Sequence, residues 1–417
     1  MELEAIFDHY LLRTAMGESL YEEEGYLRQH LKFARNWTLI GPAFRAIQAF
    51  STMSATGAQV GFVGTVFSDL IRETAQTQRC ALFGTGVVEY RFALRHGLLP
   101  QPLWCERVEL HRIYMDYRTS KCLDHKRVER VIEGLQTRLK RLDLKALVLW
   151  NDVMFPERCL ILAARALGIP SLVIQHGVYM SDQADARIVG GDWADYVLVW
   201  GEYFAQMFID SGIASGERVK LLGYPRLLQE IQSGPMTPTP VICVLGQDWE
   251  SYGPEFIEGK IRFVRNVLTA VSQTGLRVVY RPHPSEKRTW VSDHFPEVSI
   301  TATDESLSQA FKNYDVFVSL TSTALLEAGL CGKIAVEVID PAFVQDDFEK
   351  IGVCYSRPNS QEALREFFLG VRSADIKPFV VRPEYVWVPT SLKDQLARVL
   401  SEVTGLRGLG GLNTKSS

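Results

Sequence analysis

From about residue 79 onward, short apolar runs alternate with longer stretches in which apolar residues recur every three or four positions. CALFG, following Arg79, passes through Gly84-Thr85-Gly86 into VVEYRFALR and stops near Gly97 and Pro100, which predicts a strand, a glycine turn and a helix. Residues 126–141 are strongly charged at helical spacing and lead into KALVLW (145–150), a run too short and too β-rich to be another helix. CLILAARALG then predicts a helix. IPSLVIQHG (169–177), YVLVWG (196–201) and KLLGYPR (220–226) predict strands, and residues 202–212 a helix between the last two. The opening 75 residues, with helix-spaced apolar positions at Tyr26, Leu27, Leu31, Phe33 and Ala34, are the least informative.

SGPMTPTP concentrates prolines where neither helix nor strand is favoured, and the alternation restarts beyond it. VICVLG (241–246), LRVVYRPHP (276–284), VSITAT, YDVFVSL (314–320) and KIAVEVI (333–339) predict strands. Helices are expected near 257–273, 306–312, 361–369 and 391–403, and TSTALLEAGLCG (321–332) reads as loop and helix. Strands that are apolar nearly throughout belong to parallel sheets covered on both faces. The expected fold is therefore α/β, with two doubly wound, Rossmann-like domains facing a cleft. The boundaries read as a first Rossmann-like domain over 1–232 with a helical N-terminal segment, a linker over 233–240, a second Rossmann-like domain over 241–390, and a C-terminal helix and tail over 391–417. That last helix is expected to return to the first domain.

Composition narrows the function. In 417 residues, 45 Lys+Arg against 49 Asp+Glu give a net charge of -4, so no bulk positive field holds a nucleic-acid backbone. Seven cysteines without a close pair fit reduced thiols rather than a disulfide framework or a zinc site. The acidic, amphipathic N-terminus lacks a signal peptide's basic and apolar regions, and no apolar run reaches the ~18 residues of a spanning helix. The expectation is a cytoplasmic protein, with peripheral contact at the inner membrane face left open.

Candidate chemistry lies at strand ends, where doubly wound sheets place their ligands. In Arg281-Pro282-His283-Pro284, two prolines stiffen a turn that offers a guanidinium and an imidazole to a phosphate. In SLTSTALLEAG, Ser319, Thr321, Ser322 and Thr323 precede a helix whose N–H groups and dipole favour an anion, although Ser322 or Thr323 would serve equally as an N-cap. Glu327, a turn further on, is placed to hold vicinal ribose hydroxyls. In the first half, Asp152 and His176 end neighbouring strands and are candidates for general base or nucleophile. Asp248, after the first strand of the second half, is a third catalytic candidate. Walker A, GxGxxG and DxD patterns are all absent, so no P-loop, dinucleotide cofactor or DxD-bound metal is expected.

With these residues in place, the segment from about 145 to 370 resembles GT-B glycosyltransferases, and among them the bacterial sialyltransferases and Kdo transferases of capsule and O-antigen assembly. His283-Pro284 is similar to that family's HP motif, and Ser319 with Thr321-Ser322-Thr323 to its hydroxyl motif. The resemblance implies a metal-independent transfer of Kdo or sialic acid from a CMP-sugar, gripped by those motifs, to a glycan or lipid-linked glycan. RPHP also resembles CDP-glycerol transferases, and QHG, VLVWGEY and GYPR resemble sugar-nucleotide epimerases. Polyol-phosphate transfer, UDP-hexose transfer, epimerisation and a non-catalytic glycan-binding role are therefore the alternatives. Gln175-His176-Gly177 stands where the sialyltransferases carry an acidic motif, so no catalytic base is carried over from there.

Overall fold

The computed structural model describes residues 3–8, 42–43, 45–51, 57–178, 190–226, 237–247, 249, 254–283, 286–287, 289–302, 305–343, 345, 347–350 and 352–405. The helical spacing at 26–34, the first half of the linker, Asp248 and Pro284 lie outside them. The described residues form two compact units. One holds those up to Arg226 together with those from Val386 onward, and the other holds Thr237 to Tyr385.

The first unit carries seven parallel strands: β1 (Val60–Val63), β2 (Cys80–Gly84), β3 (Leu99–Pro102), β4 (Ala146–Leu149), β5 (Ser171–Ile174), β6 (Tyr196–Val199) and β7 (Val219–Leu221). Their order in space is β3-β2-β1-β4-β5-β6-β7. Its helices are α1 (Ser68–Ala75), α2 (Val87–Arg95), α3 (Trp104–Ser120), α4 (His125–Leu142), α5 (Phe155–Arg165) and α6 (Glu202–Asp210). Every residue of β1, β2, β4 and β5 is buried, which is why these strands read as unbroken apolar runs.

The second unit repeats the winding with β8 (Val241–Leu245), β9 (Arg277–Arg281), β10 (Ser299–Ile300), β11 (Val316–Ser319), β12 (Ile334–Ile339) and β13 (Tyr355–Pro358), in the parallel order β10-β9-β8-β11-β12-β13. Its helices are α7 (Pro254–Ser272), α8 (Thr289–His294), α9 (Leu307–Asn313), α10 (Thr323–Leu330) and α11 (Gln361–Arg372). Serine side chains cap α9 and α11, Ser306 and Ser360 accepting from the backbone N–H of Gln309 and Ala363. Ile242, Val244, Val316, Val318, Ile334 and Val336 are fully buried between the covering helices.

After the second unit the chain returns as α12 (Leu392–Thr404), with Ser391 as its N-cap. Leu392, Leu396, Val399 and Leu400 join Leu70 and Ile71 of α1 in the first unit's core. Lys220 of β7 pairs with Glu402 at 2.6 Å, and Gln395 Nε2 donates to the Leu221 carbonyl at 2.8 Å. The second unit is thus inserted between β7 and α12. Among the described residues no helix is long and apolar enough to cross a membrane.

Candidate functional site

In the second unit the chain leaves β8 for β9 and β10 on one side, then returns to β11 on the other, so the winding reverses between β8 and β11. Doubly wound sheets bind ligands outside the carboxyl ends of their strands at such a reversal. Two residues following β8 tie together the segments on either side of it. The Gly246 N–H donates to the Arg281 carbonyl at 2.8 Å, and Gln247 Nε2 donates to the Thr321 carbonyl at 2.8 Å.

Beneath the turn after β9 lies a buried ion pair. Glu286 Oε1 accepts from Lys260 Nζ and from the Tyr280 hydroxyl, both at 2.7 Å, while Glu286 Oε2 accepts from the His283 backbone N–H at 2.9 Å. The ammonium of Lys260 also sits 3.8 Å from the centre of the Trp290 ring. Burial pushes the Glu286 carboxyl above its ordinary value against the pull of Lys260. A Cβ at position 246 would lie 2.2 Å from Glu286 Oε2 and 2.7 Å from the Tyr280 oxygen, so only glycine fits there. Backbone and buried carboxylate thereby fix the turn, and the His283 residue remains exposed.

The other expected phosphate ligands separate into different tasks. Arg281 turns its Nη2 to the Glu305 carbonyl at 3.3 Å, which holds the guanidinium to the segment before α9. Buried Ser319 donates its hydroxyl to the Leu245 carbonyl at 3.3 Å, and so serves the sheet. Ser322 is the N-cap of α10, accepting from the Ala324 N–H at 3.2 Å, while Thr321 and Thr323 on either side of it are half-buried. Glu327 is not an exposed helix residue but a buried one. The sequence singled out His283 and the hydroxyl turn. It missed Lys260, Glu286, Gly246 and Gln247, of which Glu286 and Gly246 were marked only by nearness to RPHP and to a strand end.

In the first unit the Asp152 carboxylate is fully buried and accepts three backbone N–H groups, Gly191 at 2.8 Å, Trp193 at 3.1 Å and Ala194 at 3.0 Å. The sequence offers Asp152 as a catalytic group; in the fold its buried carboxylate holds the 191–194 segment to the end of β4. Gln175 likewise ties the end of β5, donating to the Gly177 carbonyl at 2.8 Å and accepting from the Trp200 N–H at 3.1 Å. His176 is half-buried with its ring edge-on to Trp150, centroids 5.7 Å apart.

A pocket of this unit lies at the carboxyl ends of β1, β2 and β4, where its own winding reverses. It is a pocket of about 290 Å³ whose lining includes Glu89 of α2, Arg107 of α3 and Glu157 of α5. Glu157 is 94% buried, its Oε2 has no hydrogen-bond partner among the described residues, and burial pushes its carboxyl up to about 7. Its own backbone N–H, Arg107 and Trp150 pull in the opposite direction, and Glu89 adds to the rise. Glu157 reads in sequence only as an acidic residue in a helix's first turn, so its burial was not foreseen.

No protein-family model and no curated protein sequence matches the chain. Solved structures do. The UDP-GlcNAc 2-epimerase of Neisseria meningitidis bound to UDP-GlcNAc superposes with a TM-score of 0.57 at 12% identity, over 84% of this chain and 99% of that one. The S. aureus MnaA–UDP complex gives 0.58 at 11%, over 84% and 98%. A glycosyltransferase from Rickettsia africae gives 0.53 at 10%, over 83% and 98%. At such identities the likeness is one of fold, and two parallel-sheet α/β units of the GT-B kind are what these proteins share with the chain.

Proposed function

We propose that the protein is a nucleotide-sugar enzyme that binds its donor on the second unit and transfers the sugar to a hydroxyl acceptor. One observation carries the reading: Gly246 and Gln247 lock the His283 turn and the Thr321–Thr323 turn on opposite sides of one strand end, at the sheet's reversal. An exposed imidazole, threonine hydroxyls and the first N–H groups of α10 suit a diphosphate, and stabilise it further as it departs with an extra charge. Buried Glu327, one turn into α10, is the carboxylate for the ribose. The cytidine donor expected from the resemblance has no counterpart among the neighbours cited, two of which hold UDP or UDP-GlcNAc, and a uridine nucleotide is the donor we favour. Epimerisation of that nucleotide sugar is the second reading, because one of the three superposed proteins is a UDP-GlcNAc 2-epimerase bound to UDP-GlcNAc.

The test is calorimetric titration with CMP, CDP, UDP, GDP and ADP, followed by His283→Ala with the preferred nucleotide. A hydrogen bond to a charged group contributes about 1.5–3 kcal/mol, so the variant should bind roughly 10- to 150-fold more weakly. Its melting temperature should hold, because the tie from residue 283 to Glu286 is made by backbone. Unchanged affinity, or a fall in stability large enough to explain the loss, would refute the assignment. Product analysis with UDP-GlcNAc then separates the two readings: an acceptor-dependent release of UDP supports transfer, and a 2-epimer formed without acceptor supports epimerisation.

A further inference from the structure

We propose that the pocket at the ends of β1, β2 and β4 binds a single uncharged sugar ring, with the Glu157 carboxyl hydrogen-bonded to one of its hydroxyls. This is a site separate from the nucleotide site on the second unit and does not rest on it. Size comes first. At about 290 Å³ the pocket lies at the lower limit of small-molecule sites, ~300–1,000 Å³, which admits one ring and excludes a whole nucleotide sugar.

Chemistry then selects the ring. Trp150, Phe83 and Met154 supply an apolar and aromatic wall, suited to the C–H face of a pyranose. Thr65, Thr85 and Glu89 supply polar groups along the remainder. Two carboxyl groups stand against one guanidinium, and Arg107 Nη1 already donates to the Thr85 carbonyl at 2.9 Å. An anionic ligand is disfavoured by that balance, and a neutral polyol is accepted.

Glu157 is the group that points to a ligand. A buried carboxyl oxygen lacking a partner costs stability unless something occupies it, and a sugar hydroxyl can donate to it or accept from it. The glycines at the rim serve the same end. A Cβ at Gly84 would lie 2.4 Å from Glu89 Cβ, and one at Gly86 2.6 Å from Glu89 Oε2, so both must be glycine for Glu89 to fold back over the loop as it does. A Cβ at Gly64, where φ is +74°, would fall 2.6 Å from the Trp150 ring, so the indole keeps its place in the wall only because that position is bare.

Saturation-transfer NMR and calorimetry on the full chain test this, with methyl glucoside, methyl galactoside, methyl mannoside and N-acetylglucosamine as probes. At least one should bind saturably with a Kd in the millimolar range, and Glu157→Ala should weaken it by roughly 10-fold or more. Thr65→Trp fills the pocket and should abolish binding. Val66→Trp, at an exposed lining residue outside the core, should do the same without disturbing the fold. Nucleotide affinity, read in the same samples, should be unchanged in all three variants, so a failure of the nucleotide site is told apart from a failure of this one. If no probe saturates, or if binding survives both tryptophan variants, the proposal is overturned.

Discussion

Removing Lys260 tests how the turn that carries His283 is held. Its ammonium is 2.7 Å from Glu286 Oε1, and the two side chains are only 2% and 1% exposed. Lys260→Met keeps most of the volume and leaves a carboxylate buried with the Tyr280 hydroxyl and the His283 N–H as its remaining donors. Stripping one partner from a buried pair costs about 3–5 kcal/mol, because the other charge stays desolvated. For a domain of ~150–250 residues each kcal/mol moves the melting temperature by about 2–4 °C, so the unit should melt roughly 6–20 °C earlier. The loss should depend on pH. A carboxyl whose folded pKa is raised binds its proton more tightly in the folded state, so stability falls as pH rises from the unfolded value through the folded one. Without the lysine that rise is larger, and the deficit should be smaller at pH 5 than at pH 8. Adding Glu286→Gln removes the stranded charge while keeping an acceptor for the turn, and should recover part of the loss. Urea denaturation of the wild type, both single variants and the double variant yields the coupling energy, expected at about 2 kcal/mol or more. A coupling under ~0.5 kcal/mol, or a Lys260→Met deficit that does not vary with pH, would show that the pair is not what anchors the turn.

Asp152→Asn should destabilise the first unit by about 2–5 kcal/mol, since one amide oxygen replaces a charged acceptor of three N–H groups, and nucleotide affinity should be unaffected. Scanning calorimetry and titration on one sample check both, and normal stability with lost turnover would restore the catalytic reading of Asp152. For Glu157, raising the carboxyl from 4.5 to about 7 corresponds, at ~1.36 kcal/mol per pH unit, to about 3 kcal/mol. Because the folded state holds the proton more tightly, the wild type should lose that amount relative to Glu157→Gln as pH rises from 4.5 to about 7, and no more above it. Denaturation series that run parallel for the two proteins would contradict the shift.

The sequence announced most interior strands and two of the four outermost ones, β7 within KLLGYPR and β10 within VSITAT, but was silent at β3 and β13, for a physical reason. β4 and β11 are buried on both faces and appear as ALVL and VFVS, whereas β3 reads LPQP and β13 YSRP. An outermost strand needs a ladder on one side only, so it tolerates prolines that an interior strand would reject. β1 was missed because Gly61 interrupts an already short run. At the candidate site, RPHP was legible since its prolines act locally. Glu286 was not, because its meaning comes from Lys260 on a helix 26 residues earlier in the chain. The hold of Asp152 on its segment was hidden for the same reason: its donors stand about 40 residues further along, where no local pattern marks them.

The insertion of one unit within the other sets an order on how the chain is made. As the polypeptide emerges, all strands of the second sheet are complete by Pro358, and its covering helix by Arg372, before Leu392 has been synthesised. The first sheet is finished much earlier, at Leu221, yet it waits for Leu392, Leu396, Val399 and Leu400 to cover Leu70 and Ile71. Domains close as units during synthesis, at about 5–20 residues per second. The N-terminal half therefore spends the whole translation of the C-terminal half with an apolar strip uncovered. The half made first is the last to be finished, and in the nascent chain its apolar strip stays open to water until α12 has emerged.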